Sequence, residues 1–233
     1  KRNNRIAKGS FTNLGHAFAD FLLMRFYNNK NIDDYFNVNG LENFHKAKQR
    51  KKGVIFTTAH FGNFELTAHF FALKFFKSLI LYNPIKKPLW LEKFVKKNRE
   101  VGGNVLIAKQ NSLFAVYKTL KKEGVVCILT DQNCLPKDGR KVPLFGHNVW
   151  THTAFIKLSL KTGAPIVPGF SFIKKISKYE VELFPPLFPE DFAKYEDPEY
   201  EMALAINKIL EKVICKSPDQ WMWQHRRFKN ILN

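Results

Sequence analysis

The string His60-Phe61-Gly62-Asn63-Phe64-Glu65 places a histidine and a glutamate in H-x4-E spacing, between an apolar run and a helical pattern. Histidine titrates closest to neutrality, so one ring nitrogen can take a proton from a hydroxyl. A histidine at a strand end can turn back toward a carboxylate on the first turn of the following helix. That carboxylate would hold the second ring nitrogen and favour the imidazolium. His60 and Glu65 are therefore the candidate catalytic pair, as base and orienting partner. Gly62 and Asn63 are small or turn-forming, which lets a substrate approach the backbone. Unpaired N–H groups at the start of the helix would suit an oxyanion or a phosphate. The competing interpretation is a purely structural His–carboxylate contact, and on spacing alone the two are evenly matched.

Asp131 is the second polar residue expected at a strand end, where open α/β sheets bind their ligands. It is a candidate substrate-binding residue; alternatively it caps the next segment or pairs with Arg226 or Arg227. No serine or cysteine occupies a nucleophile elbow. Gly169-Phe170-Ser171-Phe172-Ile173 departs from G-x-S-x-G at its last position, so no serine nucleophile of that kind is expected. His69, one turn beyond Glu65, fits surface or core packing, and His16 and His45 have no partner in sequence. His147 and His152 are too loosely placed for a metal site, so no metal and no bound cofactor are expected. Cys127, Cys134 and Cys215 have no zinc-ligand spacing and suggest a reducing compartment.

The elements that must position these residues alternate. Residues 10–27 carry Phe11, Leu14, Phe18, Phe21, Leu22 and Phe26 at helical spacing, and a weaker helical pattern lies within 35–51. Strand character follows at 54–59, 79–82, 105–108, 125–130, 166–173 and 179–184. Helices are expected at 64–76, 89–100, 113–122, 152–162 and 198–216. Residues 132–149 read as a loop, with Pro136, Gly139, Pro143 and Gly146. Strands alternating with helices predict a three-layer α/β/α fold with a mostly parallel central sheet. One domain over 1–233 is expected, with an N-terminal helical portion (1–52) packed on an α/β catalytic core (53–233).

Net charge is +18 over 233 residues, which argues for an anionic partner: nucleic acid, an anionic bilayer or an acidic carrier protein. No recognisable nucleic-acid-binding motif is present, so no nucleic-acid partner is expected. Phenylalanine is abundant, at 23 residues, more than a core alone explains. Phe61, Phe64, Phe70 and Phe71 flank the H-x4-E string and either line an apolar groove or pack as core, the latter being the simpler account for most. Lys86, Lys87, Lys93, Lys96 and Lys97 could meet anionic head groups or an acidic carrier protein. No run reaches the roughly 18–20 apolar residues of a membrane span. The sequence opens on Lys1, Arg2, Arg5 and Lys8, the charge flank expected if a membrane helix precedes them in a longer protein.

These features together resemble the lipid A biosynthesis acyltransferases, the lauroyl and myristoyl transferases of the lysophospholipid acyltransferase superfamily. The family's H-[FL]-G-N-[WF]-E is matched by His60 to Glu65, and its Tyr-x-Pro loop by Tyr82-Asn83-Pro84. Its downstream arginine is matched by Arg99, its strand-end Asp by Asp131-Gln132, and its V-P-L-F-G segment by Val142 to Gly146. An A-x-x-V-P strand is matched by Ala164 to Pro168. The closing P-[ED]-Q-x-x-W-x-H-R-R-F-K block is matched by Pro218 to Lys229. The matches are collinear over essentially the whole chain. Asn133 replaces an aspartate common in the family, the following loop reads Cys134-Leu135-Pro136, and Thr151-His152-Thr153 is a reduced version of a Thr-rich helix start. These departures bear on the acceptor more than on the reaction.

The resemblance implies transfer of a fatty acyl group from an acyl-carrier protein or CoA thioester to a hydroxyl of an anionic membrane glycolipid such as a lipid A precursor. It implies the cytoplasmic face of the bacterial inner membrane, with no acyl-enzyme. His60 would be the base, Glu65 its partner, and Gly62, Asn63, Arg99 and Asp131 would contact substrate. A non-catalytic lipid-binding domain would keep the Phe-rich groove without needing both His60 and Glu65, and a basic nucleic-acid-binding domain remains the other alternative.

Overall fold

The structure, a computed structural model, describes residues 2–110 and 112–229; Lys1, in the basic N-terminal cluster, lies outside the described residues. In chain order the elements are α1 (Arg2–Leu22), β1 (Phe36–Asn39), α2 (Leu41–Lys48), β2 (Val54–Thr58), α3 (Phe64–Lys74), β3 (Ser78–Tyr82) and α4 (Leu89–Glu100). There follow β4 (Val105–Ala108), α5 (Leu113–Lys121), β5 (Val125–Leu129), β6 (Gly139–Leu144), β7 (His147–His152) and α6 (Ala154–Thr162). The chain closes with β8 (Ile166–Lys175), β9 (Lys178–Leu183), α7 (Pro189–Phe192) and α8 (Pro198–Lys216).

Seven strands form one sheet in the order β1-β9-β8-β2-β5-β3-β4. Every pairing is parallel except the β8–β9 hairpin, so the expected mostly parallel α/β sheet is present. The central strands are apolar on both faces because helices cover both. Val54 and Phe56 of β2, with Val125 and Cys127 of β5, pack into a cluster with Leu66, Phe70 and Phe71 of α3 and Phe44 of α2. The intervening Ile55, Val126 and Ile128 point the other way, against Val116 and Leu120 of α5, Phe155 and Ile156 of α6, and Met202 and Ile206 of α8. A third cluster closes the sheet end nearest His60, where Phe61, Phe170, Phe172 and Trp221 meet Leu210 and Val213 of α8.

Three expectations need correction. The N-terminal portion is not wholly helical: Phe36–Asn39 is strand β1, which joins the sheet edge in parallel with β9, so 1–52 and the remainder share one sheet. The stretch read as loop over 132–149 contains most of a β-hairpin, in which β6 pairs antiparallel with β7. Phe145 and Gly146 form its two-residue turn, with φ of 50° and 74°. Positive φ at both central positions is what the right-handed twist of the flanking strands demands. Finally, α1 begins well before residue 10, and most of the apolar side chains that mark it face outward: Phe11, Leu14, Phe18 and Leu22 are exposed, whereas Ser10, Ala17, Asp20 and Phe21 are buried.

Candidate active site

The site forms where β2 and β5 end side by side. Their parallel register pairs Val54 with Val125 and continues to Thr58 and Leu129. The Thr130 N–H donates to the Thr58 carbonyl at 3.0 Å, carrying the alignment past the strand ends. The same offset then makes His60 and Asp131 neighbours. His60 Nδ1 lies 2.9 Å from Asp131 Oδ1, and the His60 backbone N–H donates to Asp131 Oδ2 at 3.0 Å. The Trp221 indole Nε1–H donates to the same Oδ2 at 2.9 Å. Burial pushes the fully buried Asp131 carboxyl up, but the His60 imidazole, the Trp221 indole and the His60 amide outweigh it and hold the group below the usual carboxylate range.

An ionised carboxylate only accepts, so Nδ1 of His60 carries a proton and, in the neutral ring, Nε2 keeps its lone pair. The Gln132 amide nitrogen lies 3.2 Å from His60 Nε2 and 2.9 Å from His225 Nε2, so its two N–H groups donate one to each ring. The two rings sit 4.8 Å apart. Burial, followed by the charge of His60, lowers the pKa of His225 against the opposing pull of Asp131, which suits its accepting role.

Glu65 is not the partner of His60. Among the described residues its hydrogen bonds run to Arg99: Nε of Arg99 lies 3.1 and 3.0 Å from the two carboxylate oxygens, and Nη2 completes the contact. From the first turn of α3, Glu65 reaches Arg99 of α4 while still bordering the cavity that His60 lines. The fork of Arg99 offers the planar match that a lysine would lack. Burial lowers the Arg99 pKa, and the hydrogen bonds and charge of Glu65 more than reverse that, so the net direction is upward.

Gly62 and Asn63 also serve differently from expectation. The Gly62 N–H donates to the Gln220 carbonyl at 2.9 Å, so it is not free for an oxyanion. Its φ of +58° and its approach to β8, where an added Cβ would lie 1.7 Å from the Ser171 carbonyl oxygen, explain the glycine without any substrate. Asn63 is wholly buried. Its Oδ1 caps α3 by accepting from the Leu66 N–H, and its Nδ2 donates to Asp20 Oδ2 at 2.7 Å. The N–H groups of Phe64 and Glu65, in the first helical turn, have no helical carbonyl to bond and are the better anion donors.

His60, Phe64, Glu65, Tyr82, Arg99 and Gln132 border a cavity of about 200 Å³. A second hollow, of about 280 Å³, opens between α1 and α4 and shares Phe64, Glu65, Tyr82, Asn83 and Arg99 with the first. Its remaining wall is largely apolar: Leu14, Ala17, Phe18, Phe21, Ile85 and Val95. Of the four phenylalanines flanking the H-x4-E string, Phe61, Phe70 and Phe71 are core and only Phe64 lines the cavities. No three His, Cys, Asp or Glu side chains converge as a metal site would among the described residues.

A base at a sheet end beside an arginine and an apolar hollow suits transfer of an aliphatic acyl group. The family model of the bacterial lipid A biosynthesis acyltransferases matches residues 1–230. The chain belongs to that family. It is similar to the lipid A biosynthesis palmitoleoyltransferase of Escherichia coli K12, at 29% identity over 98% of this chain and 72% of the relative. It resembles the lipid A biosynthesis lauroyltransferase of the same organism at 29% identity, covering 98% and 73%. A lipid A biosynthesis acyltransferase of Haemophilus influenzae is 26% identical over 96% of this chain and 70% of that protein. The chain is accordingly an acyltransferase.

In this acyltransferase the closing segment does more than seal the fold. Trp221 bonds Asp131, forms an isolated bridge with Phe61, and is followed by Met222, whose N–H donates to the His60 carbonyl at 2.9 Å. Arg227 is buried and fastens the Gln132 carbonyl, Trp150 carbonyl and Thr151 hydroxyl. The anticipated alternative pairing of Asp131 with Arg226 or Arg227 is thus replaced by His60 and Trp221. Trp221, Gln132 and His225 were not singled out as site residues by sequence reasoning. Their only signal was membership of the two family blocks around Asp131 and Pro218.

Proposed function

We propose that this chain is an O-acyltransferase that moves a fatty acyl group from an acyl-carrier protein or CoA thioester to a hydroxyl of an anionic membrane glycolipid, a lipid A precursor, at the cytoplasmic face of the bacterial inner membrane. The observation that carries the reading is the His60 ring. Its Nδ1 is held by a buried carboxylate and its Nε2 lone pair faces a cavity joined to an apolar hollow.

His60 Nε2 takes the proton of the acceptor hydroxyl as the hydroxyl oxygen bonds to the thioester carbonyl carbon. Asp131 stabilises the imidazolium that forms. The carbonyl oxygen becomes an oxyanion, for which Arg99 and the Phe64 and Glu65 N–H groups are the available donors. Collapse of the tetrahedral intermediate breaks the C–S bond, and the imidazolium returns its proton to the departing thiolate. Glu65 fixes the guanidinium of Arg99 rather than the ring of His60. Gln132 must yield its bond to Nε2 when the acceptor enters.

The test is a purified assay with acyl-carrier-protein and CoA thioesters and a phosphorylated glucosamine disaccharide lipid, read by mass spectrometry. Wild type adds one acyl mass, and His60→Ala loses about 10²–10⁴-fold in turnover. Near-wild-type turnover by His60→Ala would overturn the assignment of the base.

A further inference from the structure

We propose that the outward face of α1, continued by the start of α4, is a docking surface for an anionic lipid bilayer. The proposal extends beyond the transfer reaction and does not depend on it. Helix α1 is amphipathic in the reverse of the usual sense, in which the apolar stripe turns to the core. Its inward face carries polar side chains that cannot turn away. Ser10 Oγ donates to the Trp221 carbonyl at 2.8 Å, and Asp20 accepts from Tyr27, Asn63 and Tyr179. These bonds fix the rotation of the helix, and with it the outward display of Phe11, Leu14, Phe18 and Leu22.

Charge is arranged to match. Between Lys8 and Arg25, roughly 25 Å along a helix, the one charged residue is the buried Asp20. Exposed cations therefore bracket an uncharged apolar stripe. Phe94 of α4 packs edge-on against Phe21 of α1, which brings the second helix alongside. At its start Leu89 and Trp90 are each 68% exposed. Lys86, Lys87, Lys93 and Lys97 are exposed around them. Contiguous exposed apolar side chains mark a contact surface. Interleaved lysines and an exposed tryptophan select a lipid interface with negative head groups over a dry protein interface. The net charge of +18 has the same sign. The surface also adjoins the hollow between α1 and α4, whose wall includes Leu14 and Phe18 and whose inner end reaches Arg99. A bilayer seated here would lie at the mouth that leads to His60.

Vesicle co-sedimentation tests this with the chain as it is, on phosphatidylcholine alone and with phosphatidylglycerol added. Wild type binds the anionic vesicles and binds less as salt rises. The double variant F18S/W90S, altered only at exposed positions and checked for an unchanged Tm, partitions on the order of tenfold more weakly or worse. F114S, at a side chain 75% exposed on α5 across the sheet, binds as wild type. Brominated acyl chains quench wild-type fluorescence, and W90F loses most of that quenching. Failure of wild type to bind, equal losses in F114S and F18S/W90S, or full binding by F18S/W90S overturns the proposal. So does a dimer that F18S/W90S disperses while keeping its lipid binding, which would make the face a contact between copies. No readout uses turnover, so failure here leaves the assignment of His60 standing.

Discussion

Asp131 receives three N–H donors, and the geometry makes each oxygen specific. Oδ2 accepts from the His60 amide and the Trp221 indole, while Oδ1 faces His60 Nδ1. An asparagine cannot satisfy this arrangement. Its amide group would confront two donors at the Oδ2 position, or would donate to Nδ1 and force the ring proton onto Nε2, removing the base. Asp131→Asn is therefore expected to lower kcat by about 10²–10⁴-fold, with the fold retained by near-UV circular dichroism. A loss below about threefold would show that His60 does not rely on this carboxylate. The sequence did not disclose the pairing because H-x4-E offered a nearer acid. His60 and Asp131 each stand six positions past the first residue of their strand, a correspondence that matters only once β2 and β5 are known to be neighbours. Two intervening strands, β3 and β4, lie on the far side of β5, so the adjacency is a crossover that no local pattern encodes.

At the scale of single elements, one buried side chain fastens the start of α3 to its neighbours. Asn63 joins the helix to α1 through Asp20, and Tyr179 of β9 bonds the same carboxylate. Losing the cap and one donor to a buried acid should cost about 1–3 kcal/mol in Asn63→Ala. Because Asn63 is fully buried, kcat per folded molecule should stay near wild type while the denaturation midpoint falls. An unchanged midpoint with impaired substrate binding would instead restore the substrate role that its place in the H-x4-E string suggests. Helices α5 and α8 were legible because their burial follows their own spacing. The hairpin of β6 and β7 was not, since its turn uses Phe145 in a conformation that favours glycine or asparagine and its strands contain Gly139 and Pro143. Strand β1, with Asn37 and Asn39 exposed on a sheet edge, is too short and polar to announce itself. Helix α1 was read correctly as amphipathic, yet the direction of its apolar face depended on hydrogen bonds made by Ser10 and Asp20 to segments as distant as Trp221.

At the scale of the whole molecule, three histidines share one electrostatic condition. His69, His152 and His225 all have lowered pKa values, in each case first because burial disfavours the imidazolium. The Tyr27 carbonyl opposes the shift at His69; Lys109 adds to it at His152, and His60 adds to it at His225. In the unfolded chain an ordinary histidine binds a proton as pH falls through about 6.5, whereas these three do so only at lower pH when folded. The unfolded state then holds more protons, so stability is complete above about pH 6.5 and declines as pH falls below it. Asp131 acts in the same direction further down: its stabilisation is present above the ordinary carboxylate pKa and is lost as pH drops through its lower folded value. Calorimetry should thus find a level Tm from about pH 8 to 7 and a progressive fall from about pH 6.5 to 5. General repulsion within a chain of net charge +18 could bend the curve the same way, and one substitution separates the two causes. His69 Nε2 lies 2.8 Å from the Tyr27 carbonyl, a contact that a glutamine can keep without titrating. His69→Gln should therefore make the acid-side fall shallower while the chain's other charges stay as they are. If the slope is unchanged, protonation of His69 is not among the events that destabilise the fold.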